Sequence, residues 1–174
     1  MADLNDRAKR IALLVLDVDG VLTDGTIYYG NAGEELKGFS IKDGLGIKLL
    51  QRDGIAVAII TGRESAIVSR RAAELGIEDV IQGREDKLVA LRDLCLDKQL
   101  DLDQCAYMGD DLPDLAAVTA AGLGLTVQDA AGPVRDAADW VSSLPGGSGA
   151  VREACEMILS ARGSMAAMLD AYRQ

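Results

Sequence analysis

The stretch Leu13-Leu14-Val15-Leu16-Asp17-Val18-Asp19-Gly20-Val21-Leu22-Thr23 decides the fold of this chain. Its apolar first part is typical of a buried strand in a parallel sheet. Residues i and i+2 of an extended chain point the same way, so Asp17 and Asp19 leave the strand side by side. Two carboxylates this close repel each other unless a cation or a proton shares their site. The stretch therefore predicts a strand that ends in a cation site, and a catalytic Mg²⁺ explains that site best.

Composition narrows the possible classes of protein. The chain has 174 residues, of which 49% are hydrophobic and 3% aromatic, and this suits one domain with an aliphatic core. A net charge of −10 would repel nucleic acid and anionic lipid, so neither is an expected partner. The chain has no histidine, which excludes Ser-His-Asp and Cys-His catalysis and argues against a zinc enzyme. Three widely spaced cysteines, and the lack of a signal-peptide or membrane-length apolar run, lead us to expect a cytoplasmic protein.

Strand-like and helix-like segments alternate along most of the chain. Glycines at 54, 76 and 122 mark the ends of helical patterns. The alternation predicts an α/β fold with a doubly wound, Rossmann-like parallel sheet that is covered on both faces. The predicted strands are Ile11–Leu16, Ile55–Ile60, Val80–Gln82, Cys105–Met108, Leu123–Val127 and Trp140–Ser142. The predicted helices are Leu45–Arg52, Glu64–Leu75, Glu85–Asp97 and Leu112–Ala121.

Two segments depart from this alternation. Residues 26–41 predict a β-hairpin with its turn at Gly30–Gly33, so we expect a flap over about residues 24–42, either a surface ornament or an arm near the site. Gly146-Gly147-Ser148-Gly149 is typical of a flexible linker before a C-terminal helix. We expect residues 1–161 to form the single domain and residues 162–174 a C-terminal tail, ordered or disordered.

Polar motifs stand where predicted strands end. Asp17-Val18-Asp19-Gly20 follows the first strand, Thr61-Gly62-Arg63 the second, and Gly109–Asp114 the strand that ends at Met108, while Lys87 lies near the start of a helix. In an open α/β sheet, ligands bind outside the carboxyl ends of the strands. We therefore expect all four motifs to surround one crevice.

Three aspartates of these motifs, Asp17, Asp19 and Asp110, suit phosphoryl transfer. The carboxylate of Asp17 can attack phosphorus in line and form an aspartyl-phosphate. Asp19 can protonate the leaving alkoxide and then deprotonate the water that hydrolyses the intermediate. The carboxylates of Asp17 and Asp110, with the carbonyl oxygen of Asp19, form a hard-oxygen ligand set that predicts Mg²⁺.

The remaining polar groups of the motifs suit the phosphate itself. The Thr61 hydroxyl and the Gly62 amide can hold phosphate oxygens, and Lys87 can balance their charge. Each motif alone has an ordinary structural explanation, such as helix capping by Asp111 or Asp114. Their common position after predicted strands favours one phosphoryl-transfer site.

These motifs resemble those of the haloacid dehalogenase superfamily of aspartate-nucleophile phosphatases, in the same order and over about residues 11–161. Further segments resemble the 3-deoxy-D-manno-octulosonate 8-phosphate phosphatases of that superfamily. The segments are Asp24-Gly25-Thr26-Ile27-Tyr28, Gly33-Glu34-Glu35-Leu36-Lys37, Asp43-Gly44-Leu45-Gly46-Ile47, Ala58-Ile59-Ile60-Thr61-Gly62-Arg63, Gln82-Gly83 and Gly149-Ala150-Val151-Arg152-Glu153. The resemblance implies a Mg²⁺-dependent homotetrameric phosphatase that hydrolyses this sugar-acid phosphate in lipopolysaccharide biosynthesis.

The resemblance also implies roles for particular residues. Asp17 would be the nucleophile and Asp19 the acid/base, with Thr61 and Lys87 completing the catalytic set. Asp17, Asp19 and Asp110 would hold Mg²⁺. The implied substrate contacts are Asp19, Ser40, Ile41, Lys42, Asp43, Gly44, Lys48, Gly62, Arg63, Arg71 and Lys87. A local positive pocket is expected because the substrate carries a phosphate and a distant carboxylate, although Lys48 and Arg71 are equally compatible with a solvated helix face.

The chain departs from the family pattern in ways that leave the exact sugar acid open. Some family members carry His-Pro where this chain has residues 129–133, away from the four motifs. Family members commonly carry arginine in place of Ser148. If that arginine helps to recognise the substrate, this recognition is absent here or is made by Arg152. A phosphatase for a nine-carbon sialic-acid-type 9-phosphate is therefore the main alternative.

Two other classes of function can be weighed from the sequence. The segments from Thr23 to Asp43 and from Arg63 to Lys87 are too short for an inserted cap domain. The site is then open to water unless a neighbouring subunit closes it with the hairpin. An open site argues against a phosphomutase, which must exclude water from its aspartyl-phosphate. The presence of Asp17 and Lys87 argues against a binding module that has lost catalysis.

Overall fold

The computed structural model describes residues 3–173 and has helices on both faces of a parallel sheet. Its strands are β1 (Leu13–Leu16), β2 (Tyr28–Tyr29), β3 (Glu35–Leu36), β4 (Ala56–Ile60), β5 (Asp79–Ile81), β6 (Cys105–Gly109), β7 (Leu123–Thr126) and β8 (Trp140–Val141). Its helices are α1 (Leu4–Lys9), α2 (Ile41–Arg52), α3 (Ala66–Leu75), α4 (Lys87–Asp97), α5 (Leu115–Ala120), α6 (Gly132–Ala137), α7 (Ala150–Arg162) and α8 (Met165–Asp170).

Strand β1 lies at the centre of the six-stranded sheet, whose order is β5-β4-β1-β6-β7-β8 with every pairing parallel. Leu14 and Leu16 point into the core beneath α2, α3 and α7, whereas Leu13 and Val15 point into the core beneath α4 and α5. Burial on both faces explains why this strand is apolar at every position. The predicted doubly wound α/β fold is confirmed.

The pairing of β1 brings the predicted motifs to one edge of the sheet. Leu16 is in register with Ile59 of β4 on one side and with Met108 of β6 on the other. The chain segments that follow these three strands therefore emerge next to one another, as ligand-binding segments do in open α/β sheets.

The hairpin is shorter than the sequence predicts. Its strands are only two residues each, with Tyr28 opposite Leu36, so the prediction of a strand as far as Ile41 was wrong. The next helix begins at Ile41 instead of Leu45, because the Ser40 side chain accepts hydrogen bonds from the amides of Lys42 and Asp43 at its N-terminus. The described residues have no inserted cap domain between β1 and α4.

The glycine-rich segment before α7 is a packed turn, so its prediction as a flexible linker was wrong. The Gly147 amide donates to the carbonyl oxygen of Val21 at 2.9 Å, which ties this turn to the loop after β1. A Cβ atom at position 146 would lie 1.8 Å from the carbonyl oxygen of Gly20. The turn therefore supports the loop that carries Asp19 and needs glycine where the two backbones meet.

The sequence patterns missed three helices. Helices α1 and α6 fall outside the predicted segments, and α8 lies within the predicted C-terminal tail. Met165 and Met168 of α8 pack against the core, so this part of the tail is a docked helix. Among residues 3–173, no helix combines the length and apolar character that a membrane span requires.

Candidate active site

The four motifs surround one depression of about 320 Å³ at the carboxyl edge of the sheet. Its lining residues are Asp17, Asp19, Gly25, Thr61, Gly62, Arg63, Glu85, Lys87, Asp110, Asp111, Pro113 and Asp114. The structure thus brings together the side chains that the sequence analysis placed in one crevice. We call this depression the catalytic pocket.

A buried lysine between two carboxylates forms the floor of the catalytic pocket. The Lys87 Nζ atom lies 2.9 Å from Oδ2 of Asp17 and 2.7 Å from Oδ1 of Asp114. Burial alone would lower the pKa of Lys87, but the two carboxylates outweigh burial and raise the pKa. Lys87 therefore stays charged and holds Asp17 in a fixed position.

Asp114 has a larger part in the site than its sequence position suggests. One of its oxygens accepts hydrogen bonds from Lys87 and from the buried Tyr107 hydroxyl, at 2.7 and 2.8 Å. Its other oxygen accepts from the amides of Asp110 and Asp111, at 3.1 and 3.2 Å. The sequence suggested a helix cap at this position, whereas the structure shows that Asp114 also fixes Lys87 and the loop after β6.

The crowding of carboxylates around Asp17 creates a site for a divalent cation. One oxygen from each of Asp17, Asp110 and Asp114 lies within 4.8 Å of the others. Burial, with the negative charge of Asp114, raises the pKa of Asp17 to about 7, although Lys87 opposes that shift. Burial, with the charges of Asp17 and Asp114, likewise raises the pKa of Asp110 to about 7. A bound cation would relieve this repulsion.

The oxygens of Asp17 and Asp110 are better placed to bind a cation than those of Asp114. Both oxygens of Asp114 already accept hydrogen bonds, whereas Oδ1 of Asp110 is buried without a hydrogen-bond partner among the described residues. Gly20, with φ +94°, leaves room for that carboxylate, since a Cβ atom there would lie 2.1 Å from its Oδ2 atom. The donor set is all oxygen, which suits Mg²⁺.

The Asp19 side chain is held by different cations from those that hold Asp17. It pairs with Lys37, which follows β3, and its Oδ2 atom lies 3.9 Å from Nε of Arg63. No sequence pattern predicts a role for Lys37, although the segment Gly33–Lys37 resembles the family. The two aspartates of the first motif are thus separated electrostatically, each with its own lysine.

Thr61 and Gly62 follow β4 at the edge of the catalytic pocket. Thr61 is buried at the end of β4, and its backbone is fixed by hydrogen bonds to Ile81 and from Arg84, at 2.9 and 3.1 Å. Both Thr61 and Gly62 line the pocket, while Arg63 stands exposed at its rim. A rigid backbone that presents a hydroxyl and an amide is suited to holding an oxyanion.

Several predicted substrate contacts lie outside this pocket. Ser40, Ile41 and Lys42 line a second depression, of about 630 Å³, on the far side of the loop at Asp24 and Gly25. Lys48 is exposed on α2. We call the surface formed by residues 40–42 the α2 patch.

The other predicted contacts have structural partners in this chain. Asp43 is buried and accepts a hydrogen bond from the Arg152 amide at 2.8 Å, which joins α2 to α7. Gly44 is also buried, and a Cβ atom there would lie 2.5 Å from a guanidinium nitrogen of Arg71. The guanidinium of Arg71 lies over the ring of Phe39, and that of Arg152 pairs with Glu156 at 2.6 Å. None of these residues lines the catalytic pocket of its own chain.

Comparison with protein families places this site in a known group. A family model described as haloacid dehalogenase-like hydrolase matches residues 77–151, which include Lys87, Asp110 and Asp114. The 3-deoxy-D-manno-octulosonate 8-phosphate phosphatase of Escherichia coli (strain K12) is 46% identical over 164 residues, covering 94% of this chain and 87% of that protein. The protein of the same description from Yersinia pestis is 47% identical over 148 residues, covering 85% of this chain and 79% of that protein.

Solved structures resemble the chain along nearly its whole length. The 3-deoxy-D-manno-octulosonate 8-phosphate phosphatase of Moraxella catarrhalis, in complex with magnesium ion, phosphate ion and KDO, has a TM-score of 0.96 and 48% identity, with 97% of each chain covered. The cobalt-bound phosphatase of Haemophilus influenzae has a TM-score of 0.88 and 44% identity, covering 91% of this chain and 93% of that one. Both similarities extend over the catalytic pocket.

Proposed function

The chain belongs to the haloacid dehalogenase-like hydrolases, in their group of 3-deoxy-D-manno-octulosonate 8-phosphate phosphatases, and we propose that it hydrolyses that sugar-acid phosphate to the free sugar acid and phosphate. The observation that carries the proposal is the buried Asp17–Lys87–Asp114 cluster beside Oδ1 of Asp110, which has no hydrogen-bond partner among residues 3–173. It supplies a fixed carboxylate nucleophile and a cation site in one pocket. We place the reaction in lipopolysaccharide biosynthesis, as the resemblance implies, and in the cytoplasm, as the three widely spaced cysteines lead us to expect.

Asp17 is the nucleophile of the proposed mechanism. Lys87 contacts its Oδ2 atom at 2.9 Å and fixes the carboxylate facing the pocket. The carboxylate attacks phosphorus, the bond to the sugar oxygen breaks, and Asp19 donates a proton to that oxygen. Asp19 then takes a proton from water, which attacks phosphorus, releases phosphate and restores the Asp17 carboxylate.

The oxygens around Asp17 also account for the metal requirement of this group. Mg²⁺ would be held by the carboxylates of Asp17 and Asp110 and by the carbonyl oxygen of Asp19. When bound, the ion neutralises charge on these carboxylates and on the phosphate. The Thr61 hydroxyl, the Gly62 amide and Lys87 hold the remaining phosphate oxygens, and Arg63 reaches the substrate from the rim.

Mg²⁺ affinity is expected to depend steeply on pH. Without metal, the pKa values of Asp17 and Asp110 are each raised to about 7, so protons compete with the ion below that pH. We expect Mg²⁺ affinity to fall by about tenfold or more per pH unit below about pH 6. Calorimetric titration with Mg²⁺ at several pH values measures it, and an affinity that is constant between about pH 5 and about pH 8 would contradict the assignment.

The raised pKa values of Asp17 and Asp110 also determine how the stability of the metal-free protein changes with pH. A carboxyl group whose pKa is raised by folding stabilises the fold at low pH, and this stabilisation is lost as the pH rises through its folded value of about 7. Asp17 and Asp110 should therefore lower the melting temperature of EDTA-treated protein as pH rises towards 8. Added Mg²⁺ should reverse that loss, because it binds the ionised form.

A panel of phosphate monoesters tests the proposed substrate. We expect the highest kcat/KM on 3-deoxy-D-manno-octulosonate 8-phosphate, free phosphate as product, and loss of turnover in EDTA that Mg²⁺ restores. A higher kcat/KM on a nine-carbon sialic-acid-type 9-phosphate would shift the assignment to that alternative, which the serine at position 148 keeps open. An isomeric sugar phosphate as product would indicate a phosphomutase, although the open pocket disfavours one.

We further propose that the active form is a homotetramer in which a neighbouring subunit covers the catalytic pocket. The hairpin exposes Tyr29 and Leu36, and Ile41 of the α2 patch is 83% exposed. The α2 patch, predicted to contact substrate, does not line the pocket of its own chain, so it would have to serve the pocket of another copy. A monomer with full activity on the sugar-acid phosphate would contradict this arrangement.

A further inference from the structure

We propose that Lys37 is a positioning residue that orients the carboxylate of Asp19 for proton transfer. The proposal rests on the proposed function, in which Asp19 is the acid and base. It assigns the hairpin a part in the chemistry, through one side chain that reaches from β3 into the catalytic pocket.

The side chain of Lys37 is buried in a part of the chain that is otherwise mostly exposed, while the residue as a whole is half-buried. Its side chain is only 2% exposed, whereas Leu36 beside it is 62% exposed and Tyr29 on the partner strand is 71% exposed. Lysine is almost never buried unless its charge is paired. The ammonium group of Lys37 donates a hydrogen bond to Oδ1 of Asp19.

Four charges of alternating sign form a closed ring around this contact. The Lys37 Nζ atom lies 3.4 Å from Oε1 of Glu35, and the other Glu35 oxygen lies 3.5 Å from Nη2 of Arg63. The Arg63 Nε atom lies 3.9 Å from Oδ2 of Asp19, which closes the ring. Lys37 and Arg63 thus each lie near both carboxylates, and the Lys37–Glu35 contact is electrostatic only, since Oε1 of Glu35 accepts no hydrogen bond among the described residues. We call these four residues the charge ring.

Lys37 is the stronger of the two cations that hold Asp19. The Arg63 side chain is 42% exposed and meets Asp19 at 3.9 Å, so water screens that contact. The Lys37 side chain is 2% exposed and that of Asp19 is 25% exposed, so water screens this contact less, and a charge-assisted hydrogen bond there has more effect. Glu35 in turn keeps Lys37 in place, because it pairs with the same ammonium group.

The choice of Asp19 as partner points to catalysis as well as to hairpin attachment. A lysine that only balanced charge within the hairpin could pair with Glu35 alone. Lys37 also holds the carboxylate of Asp19, which must meet the leaving oxygen. An error of about 1 Å in the position of such a group can cost about 10²-fold in rate.

Two substrates that differ in leaving group separate positioning from structural damage. An alkyl phosphate, such as the sugar-acid phosphate, needs a proton on its leaving oxygen, whereas p-nitrophenyl phosphate releases an anion that is already stable. We expect Lys37→Met to lower kcat/KM by about 10²-fold on the alkyl phosphate and by only a few-fold on the aryl phosphate. kcat/KM is the suitable quantity because it covers the steps up to departure of the alcohol.

Three further variants sharpen the test. Lys37→Arg keeps the cation and should recover most of the activity on the alkyl phosphate. In an Asp19→Asn background, Lys37→Met should cause little further loss, because residues that act as one unit are non-additive. Lys98→Met is the matched control. Lys98 forms an ion pair of 2.6 Å with Asp79, and neither residue lines the catalytic pocket. The kcat/KM of this variant should match that of wild type.

Equal losses on both substrates in Lys37→Met would overturn the proposal, and so would a full additional loss in the Asp19→Asn background. The ratio of the two rates does not depend on how much of the sample is folded, so an unstable variant is still informative. A wild-type protein that hydrolyses neither substrate would overturn the proposed function and, with it, the role of Lys37. An active wild type whose rate ratio is unchanged by Lys37→Met would overturn the role of Lys37 alone.

Discussion

The Asp17→Asn variant is expected to release phosphate at least about 10⁴-fold more slowly than wild type. The amide cannot accept the phosphoryl group as the carboxylate does, and Asp114 cannot replace it, because both oxygens of Asp114 are already hydrogen-bonded. Release of phosphate from the sugar-acid phosphate in saturating Mg²⁺ measures the effect. A variant that kept more than about a tenth of the wild-type rate would contradict the role of Asp17.

Asp17→Asn is also expected to fold normally. Lys87 keeps its contact with Asp114 at 2.7 Å, and the substitution removes a carboxylate whose ionised form burial disfavours. Without Mg²⁺, its melting temperature at about pH 8 should therefore equal or exceed that of wild type. Asp79→Asn, away from the catalytic pocket, is the matched control and should leave phosphate release unchanged.

The Lys87→Met variant is expected to lose both activity and stability. It removes the buried cation between Asp17 and Asp114 and leaves two carboxylates beside Asp110 uncompensated. Removing one partner of a buried ion pair costs about 3–5 kcal/mol of unfolding free energy. Phosphate release should become undetectable, because Asp17 loses the contact that holds it.

The loss of stability in Lys87→Met should depend on pH in a defined direction. Protonation can neutralise Asp17 and Asp110 below their pKa values of about 7, so the loss should be smaller near pH 5 than near pH 8. Denaturant unfolding of the metal-free protein at both pH values measures it. Adding Asp114→Asn should restore part of the stability and none of the activity, and an equal loss at both pH values would contradict this account.

The fold and the meeting of the four motifs were predictable because both follow from local pattern and sheet geometry. The apolar run that ends at Leu16 is buried on both faces, and a continuous apolar run of that length is typical of a central parallel strand. Once the strands were identified, the rule for their carboxyl ends placed Asp17, Thr61 and Asp110 together.

The features of the site that the sequence did not predict depend on contacts between segments that are distant along the chain. Asp114 has the sequence context of a helix cap, and its contact with Lys87 exists only because α4 packs against the turn Leu112–Asp114 in the fold. Lys37 follows a two-residue strand, and nothing in its sequence neighbours shows that its side chain turns inward. Gly146 resembles a linker residue until the loop at Gly20 is packed against it.

The predicted substrate contacts on α2 could not be placed in space from the sequence for a different reason. Ser40 and Lys42 were assigned by resemblance, which links residues to a substrate without saying which copy of the chain supplies them. The structure places the α2 patch outside the catalytic pocket of its own chain. An open pocket and an exposed patch are what a site shared between subunits requires, and both support the proposed homotetramer.

Trapping the phosphorylated enzyme tests the central claim most directly. In Asp19→Asn, p-nitrophenyl phosphate should still transfer its phosphoryl group, because its leaving group needs no proton, while hydrolysis of the intermediate lacks its base. Rapid acid quench followed by peptide mass spectrometry should then find the phosphoryl group on Asp17. Phosphate release without a phosphorylated enzyme at any time, or a phosphoryl group on another residue, would contradict the account.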